Sequence, residues 1–250
     1  RKYCKRKERV FQMILFVGCS FTWGSGLQYE YLEKKGWSID KINDDRNRII
    51  KEDSIDPLDY NADEYRKQHS WPNLVAKKLN KPYRVGTTKS STNLNQILKS
   101  IKHEKELCYS SSANQIDTIV VQFTDWTRDD TTFENSVNRT IEHHIKLIAD
   151  ACDDIRNDKF IKSKSYKTSY PSWVGLSWHK DIGKLLEKDY PENFIPLYYK
   201  KERYNNFESF RGSDGLILSR DGHFNSKGCK VIADSIVKKL KQYETKTNKK

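Results

Sequence analysis

The sequence lacks the features of membrane, disulfide-rich and zinc-binding proteins. Its five cysteines are widely spaced and include no C-x-x-C pair. Such spacing favours neither a disulfide framework nor a zinc site. No apolar stretch approaches the ~20 residues that span a bilayer, and the basic start lacks the apolar core of a signal peptide. We therefore expect no metal, no membrane association and a reducing, cytoplasmic location.

Nucleotide-binding motifs are also missing. The chain contains no G-x-x-x-x-G-K-[ST] sequence, and Gly18, Gly24 and Gly26 do not fit G-x-G-x-x-G. The first motif forms the phosphate-binding loop of P-loop proteins, and the second forms that of dinucleotide-binding domains. We expect no cofactor.

The net charge of +12 suggests a nucleic-acid partner, but its distribution argues against one. Residues 1–9 and 238–250 each carry a net +5, which leaves only about +2 between them. The excess therefore lies on the chain ends, and no nucleic-acid partner is expected. A protein that uses these ends on nucleic acid or another anionic surface remains the less favoured alternative.

Apolar patterns along the chain predict alternating strands and helices. Strands are expected at 13–18, 83–85 and 116–123, and helices at 70–79, 94–107, 134–155 and 227–242. This alternation is typical of an α/β domain, and it predicts a mostly parallel sheet with right-handed crossovers. Functional sites in such sheets form where loops leave the carboxyl ends of the strands.

We expect one folded domain over residues 13–242. Residues 1–12 are interpreted as a basic extension and 243–250 as a basic tail. Residues 28–70 and 156–215 are polar and charge-rich, and they are interpreted as insertions, the first as a lid or substrate wall.

The first predicted strand ends at a candidate nucleophile, Ser20. The segment Gly18-Cys19-Ser20-Phe21-Thr22-Trp23-Gly24 places this serine between glycines that permit a sharp turn. A nucleophilic serine needs such a turn, because it exposes the hydroxyl. A helix cap or a phosphate-binding turn is the alternative interpretation.

A candidate base, His223, precedes the last predicted helix. In Asp221-Gly222-His223-Phe224-Asn225, one imidazole nitrogen can take the serine proton while Asp221 accepts a hydrogen bond from the other. Alternatively, Asp221 and Asn225 are turn or cap residues and His223 is a surface side chain.

A G-x-S-x-T-x-G turn after the first strand, paired with an Asp/His element before the last helix, resembles the pattern of SGNH hydrolases. The resemblance implies a three-layer α/β/α sandwich with a flavodoxin-like sheet. It also implies a catalytic set of Ser20, His223 and Asp221. The family's usual G-D-S is Gly18-Cys19-Ser20 here, and its common D-x-x-H is shortened to D-x-H.

Two further family blocks supply oxyanion donors, and both are altered here. The resemblance aligns Ser91 with the family glycine, with Gly86 as competitor, and Thr124 with the family asparagine. Oxyanion donors are therefore expected from Ser20, Ser91, Thr124 and the side chain of Asn93 or Asn95. The expected substrate contacts are Trp23, Asp125, Trp126 and Arg128.

The resemblance implies a serine esterase or deacylase that acts on a small-molecule or carbohydrate ester. Fold alone supports several substrates, so this assignment depends on the site. Because both oxyanion blocks are altered, a weak or inactive SGNH-like module that binds glycan is the main alternative.

Overall fold

The centre of the protein is a four-stranded parallel sheet. The computed structural model describes residues 11–38, 60–86, 94–110, 114–124, 141–158, 169–213, 215–217 and 222–247. Strands β1 (Phe11–Val17), β2 (Tyr83–Val85), β3 (Asn114–Phe123) and β4 (Trp173–Ser177) lie in the order β2-β1-β3-β4. Every neighbouring pair is parallel, so the carboxyl ends of all these strands meet at one edge.

Helices flank this sheet. Those before β3 are α1 (Ser20–Trp23), α2 (Leu27–Lys34), α3 (Tyr60–His69), α4 (Trp71–Leu79) and α5 (Leu94–Ser110). Those after it are α6 (Ile141–Asn157), α7 (Lys180–Asp189), α8 (Phe207–Arg211) and α9 (Ser226–Thr247). A small antiparallel hairpin, β5 (Leu197–Tyr199) and β6 (Glu202–Tyr204), lies between α7 and α8.

The alternating side chains of β1 divide the core into two clusters. Leu15 and Val17 pack with α5 and α6, whereas Ile14 and Phe16 pack with α4 and α9. All four are fully buried, and each such side chain contributes roughly 1.5–3 kcal/mol of hydrophobic stabilisation. A strand covered on both faces has no polar face, which explains the continuous apolar run from Met13 to Val17. The predicted α/β class with a parallel sheet is confirmed.

The stretch 156–215, interpreted from the sequence as an insertion, contains part of the central sheet. Strand β4 lies within it and pairs with β3 through the register Ile119 to Trp173. Beyond β4, Phe194 forms a single parallel bridge with Gly175. Strand β4 has only five residues and contains a glycine, so its apolar pattern is too short to identify it from the sequence.

Several element boundaries differ from the sequence prediction. Strand β1 begins at Phe11, inside the expected extension, and α9 ends at Thr247, inside the expected basic tail. Residues 28–70 include most of α2 and all of α3. Strand β2 has the predicted bounds.

Within the ranges given above, none of the helices combines the length and the apolar character that crossing a membrane requires.

Candidate functional site

Ser20 lies in a tight turn at the carboxyl end of β1. It is the first residue of the four-residue helix α1. The helix ends at Gly24, which has a φ of 88° and donates its N–H to the Ser20 carbonyl at 3.0 Å. This left-handed conformation favours glycine. Ser20 remains partly exposed at the edge of the sheet.

Gln122 of the neighbouring strand β3 holds this turn in place. Its Oε1 accepts hydrogen bonds from the Cys19 N–H at 3.1 Å, the Cys19 thiol at 2.9 Å and the Thr22 hydroxyl at 3.2 Å. Gln122 is fully buried, so in the folded protein its side chain, and not bulk water, supplies the acceptor for these groups. One glutamine thus fixes the residues on both sides of Ser20.

Gly18 permits the close approach of the turn to β3. A Cβ at this position would lie 2.8 Å from both Cβ and Oε1 of Gln122, and it would overlap the Thr22 hydroxyl. Space, rather than an unusual backbone angle, therefore requires glycine here.

Helices α3 and α4 bind the carbonyl groups of α1. Trp71 Nε1 donates to the Phe21 carbonyl at 3.0 Å, and Arg66 donates to the Trp23 carbonyl at 2.8 Å. Asp63 pairs with Arg66 at 2.7 Å. The Arg66 guanidinium also lies 3.6 Å from the centre of the Trp23 ring. Trp23, expected to contact substrate, is therefore part of the support for α1.

His223 lies in the segment that leads into α9. Its neighbour Phe224 forms an antiparallel bridge with Ile217, and the Asn225 N–H donates to the Leu216 carbonyl at 3.1 Å. The Asn225 side chain accepts from the Gly228 N–H at 2.9 Å, which caps the helix. Asn225 is thus the cap residue that the alternative interpretation named.

The structure brings Ser20 and His223 together. The Ser20 Oγ lies 3.0 Å from His223 Nε2, within hydrogen-bond distance, although the residues are 203 positions apart. The Phe21 ring lies against the imidazole, with 4.5 Å between ring centres. The imidazole Nδ1 lies on the buried side of the ring. Packing thus orients Nε2 towards the hydroxyl.

Glu30 links the serine and histidine segments. Its carboxylate accepts from the Ser226 N–H and hydroxyl at 2.7 Å each, and from Lys34 at 2.7 Å. Burial alone would raise the pKa of Glu30, but the hydrogen bonds from Lys34 and Ser226 outweigh burial and lower that pKa. Because the first N–H groups of a helix lack partners within it, this carboxylate also stabilises the start of α9.

We expect Glu30→Gln to destabilise the protein by about 1–3 kcal/mol near neutral pH, because charge-assisted hydrogen bonds are lost. A lowered folded-state pKa stabilises the fold above the usual glutamate range, about 4 to 5, and that contribution disappears as the pH falls through the folded-state pKa. The difference between wild type and variant should therefore shrink below about pH 4. Urea unfolding of both proteins near neutral pH and below about pH 4 measures this difference in the free energy of unfolding.

The matched control is Glu106→Gln, on a carboxylate whose side chain is 78% exposed. It should change the free energy of unfolding by less than about 0.5 kcal/mol. A Glu30→Gln deficit that is unchanged at low pH would contradict the assigned ionisation.

The remaining predicted site residues are mostly outside the described ranges. These are Asp221, Ser91, Asn93, Asp125, Trp126 and Arg128. Thr124 is described: it follows β3 at the edge of the sheet that carries Ser20, and it is 1% exposed.

Sequence reasoning missed the supporting residues Gln122, Glu30 and Phe21. Gln122 interrupts the apolar run from Ile119 to Phe123 in β3, and this polar interruption is the one signal that points to a specific partner. The contacts of Glu30 and Phe21 depend on tertiary packing and have no sequence motif.

Two other chemistries receive no support. Among the described residues, no group of three or more His, Cys, Asp or Glu side chains is arranged to hold a metal ion. Burial raises the pKa of the Cys229 thiol to about 12 and that of Cys152 well above its usual value, so both thiols stay protonated.

A cavity of about 390 Å³ lies between α7, the β5–β6 hairpin and α9, and neither Ser20 nor His223 lines it. We assign the candidate site to the serine and histidine pair because it places a hydroxyl and an imidazole within hydrogen-bond distance of each other.

Comparison with protein-family models, with curated proteins and with solved structures found no match to this chain.

Proposed function

We propose that the protein is a serine hydrolase of SGNH type that cleaves carboxylic esters. The observation that carries this proposal is the 3.0 Å contact between Ser20 Oγ and His223 Nε2. A hydroxyl within hydrogen-bond reach of an imidazole is the arrangement that activates a serine nucleophile. Both side chains are partly exposed, so a substrate can reach them.

The topology supports the SGNH part of the proposal. A flavodoxin-like sheet has the strand order 2-1-3-4-5, and the four strands here follow its first four positions. The parallel bridge between Gly175 and Phe194 lies beyond β4, where a fifth strand would pair. In such sheets the site lies at the carboxyl ends of the strands, as Ser20 does.

In the proposed reaction, Ser20 Oγ attacks the ester carbonyl carbon while its proton moves to His223 Nε2. The tetrahedral intermediate collapses, the C–O bond to the alcohol breaks, and the alcohol leaves with the proton from Nε2. Water then attacks the acyl-serine and gives its proton to Nε2. The bond between the acyl carbon and Ser20 Oγ then breaks, Oγ takes the proton from Nε2, and the carboxylic acid leaves.

Three further groups complete the proposed mechanism. The Ser20 N–H, at the start of α1, donates to the developing oxyanion, and Thr124 at the end of β3 is the candidate second donor. Asp221 orients the imidazole through Nδ1. The resemblance implies an acylated carbohydrate as one substrate class.

Labelling with a fluorophosphonate probe, which phosphonylates activated serines, tests the proposal. Wild type should label, and Ser20→Ala and His223→Ala should not. Ser172→Ala is the control, because Ser172 lies at the amino end of β4 and donates to Asp153 instead. Equal labelling of all four proteins would contradict the assignment of Ser20 as the nucleophile and His223 as its base.

A further inference from the structure

Beside the serine and histidine pair, a series of contacts leads from His223 through Phe21 and Trp178 to Arg211. The centre of the Phe21 ring lies 4.5 Å from the centre of the imidazole and 4.6 Å from the centre of the Trp178 ring. The Arg211 guanidinium lies 5.5 Å from the Trp178 ring centre. Arg211 also contacts Gly222, which immediately precedes His223. The guanidinium therefore lies beside the segment that carries His223.

Gly222 makes the position of Arg211 possible. Its φ is 70°, and a Cβ there would lie 2.8 Å from the guanidinium carbon of Arg211. A side chain at this position would be strained by the backbone and would also displace the arginine. The glycine thus lets the guanidinium lie directly against the backbone of the histidine segment.

Arg211 differs in its pairing from three other arginines of the fold. Arg66, Arg84 and Arg203 pair with Asp63, Glu104 and Glu187 at 2.7, 2.9 and 2.5 Å respectively. Among the described residues, no carboxylate lies within ion-pair distance of Arg211. Arg211 is partly exposed, and its guanidinium carries five N–H donors.

We propose that Arg211 binds a carboxylate on the substrate, so that the preferred ester carries an acidic group near the scissile bond. A guanidinium binds a carboxylate through two parallel hydrogen bonds. Phe21 and Trp178, which are both partly exposed, contact the apolar part of the same molecule. This inference rests on the proposed esterase function and names its substrate class.

Matched pairs of esters test the inference. On the alcohol side, para-acetoxybenzoate is compared with its methyl ester; on the acyl side, mono-para-nitrophenyl adipate is compared with para-nitrophenyl hexanoate. Wild type should prefer the acidic member of at least one pair by about tenfold or more in kcat/KM. Arg211→Gln should lower this ratio at least tenfold, and Arg211→Lys should retain part of it because it keeps the charge.

Arg203→Gln is the control, because Arg203 is paired in the β5–β6 hairpin region. It should keep the wild-type ratio. Ser20-dependent hydrolysis without a preference for either acidic ester, or a preference that survives Arg211→Gln, overturns this inference and leaves the proposed function intact.

If the wild-type protein hydrolyses none of these esters in a Ser20-dependent way, the proposed function is contradicted. In that case, calorimetric titration with benzoate decides the matter. Binding to wild type that weakens at least tenfold in Arg211→Gln supports the anion site, whereas equal or absent binding overturns it.

Discussion

Replacement of Ser20 by alanine is expected to reduce kcat for a simple ester such as para-nitrophenyl acetate by roughly 10³- to 10⁶-fold. The hydroxyl is the only atom group that this change removes, and it lies 3.0 Å from His223 Nε2. Without it no acyl-enzyme forms, and any residual rate comes from substrate binding and oxyanion donors alone. Steady-state kinetics on purified protein measures the loss.

The double variant sharpens this prediction. Because Ser20 and His223 act as one unit, adding His223→Ala to Ser20→Ala should cost little more than the first change alone. Multiplicative losses would mean that the two residues act independently. Ser172→Ala should retain wild-type kcat, since Ser172 lies at the opposite end of the sheet.

Gln122→Leu should destabilise the protein by about 2–5 kcal/mol, and it should also reduce esterase activity. The change leaves the Cys19 N–H and the Thr22 hydroxyl without their acceptor in a buried site, and each such loss costs about 1–3 kcal/mol. The turn that presents Ser20 then loses its link to β3. Urea unfolding measures stability, and fluorophosphonate labelling reports on the turn.

Gln68→Leu is the matched control, because Gln68 is exposed on α3. It should change stability by less than about 0.5 kcal/mol. A Gln122→Leu protein with wild-type stability would show that the three bonds to Oε1 do not support the turn.

Much of the fold follows from local pattern. Strand β1 is apolar from Met13 to Val17, and β3 is apolar from Ile119 to Phe123 apart from Gln122. The spacing of Ile145, Ile148 and Cys152 identifies α6. These patterns are local because burial on both faces or on one helical stripe repeats with a fixed period. Strand β4 was not predicted, because its five residues are too few to show the alternating period of a strand.

The candidate site was predicted in part. Ser20 and His223 belong to compact motifs next to well-defined elements. The place of Ser20 at the carboxyl end of the sheet follows from the parallel topology, whereas its contact with His223 depends on tertiary packing. The contacts of the supporting residues do not follow from local sequence, because Glu30 contacts Ser226 across 196 positions and Gln122 contacts Cys19 across 103. Such contacts depend on the three-dimensional packing of helices and strands. Asp221 and most of the expected oxyanion donors and substrate contacts remain predictions.

Peptide mapping of the fluorophosphonate-labelled protein tests the central claim most directly. The account predicts one adduct, on the Ser20 hydroxyl, that forms in wild type and fails to form in His223→Ala. An adduct on another residue, or labelling of Ser20 that is unchanged without His223, would contradict a nucleophile and base formed by these two side chains.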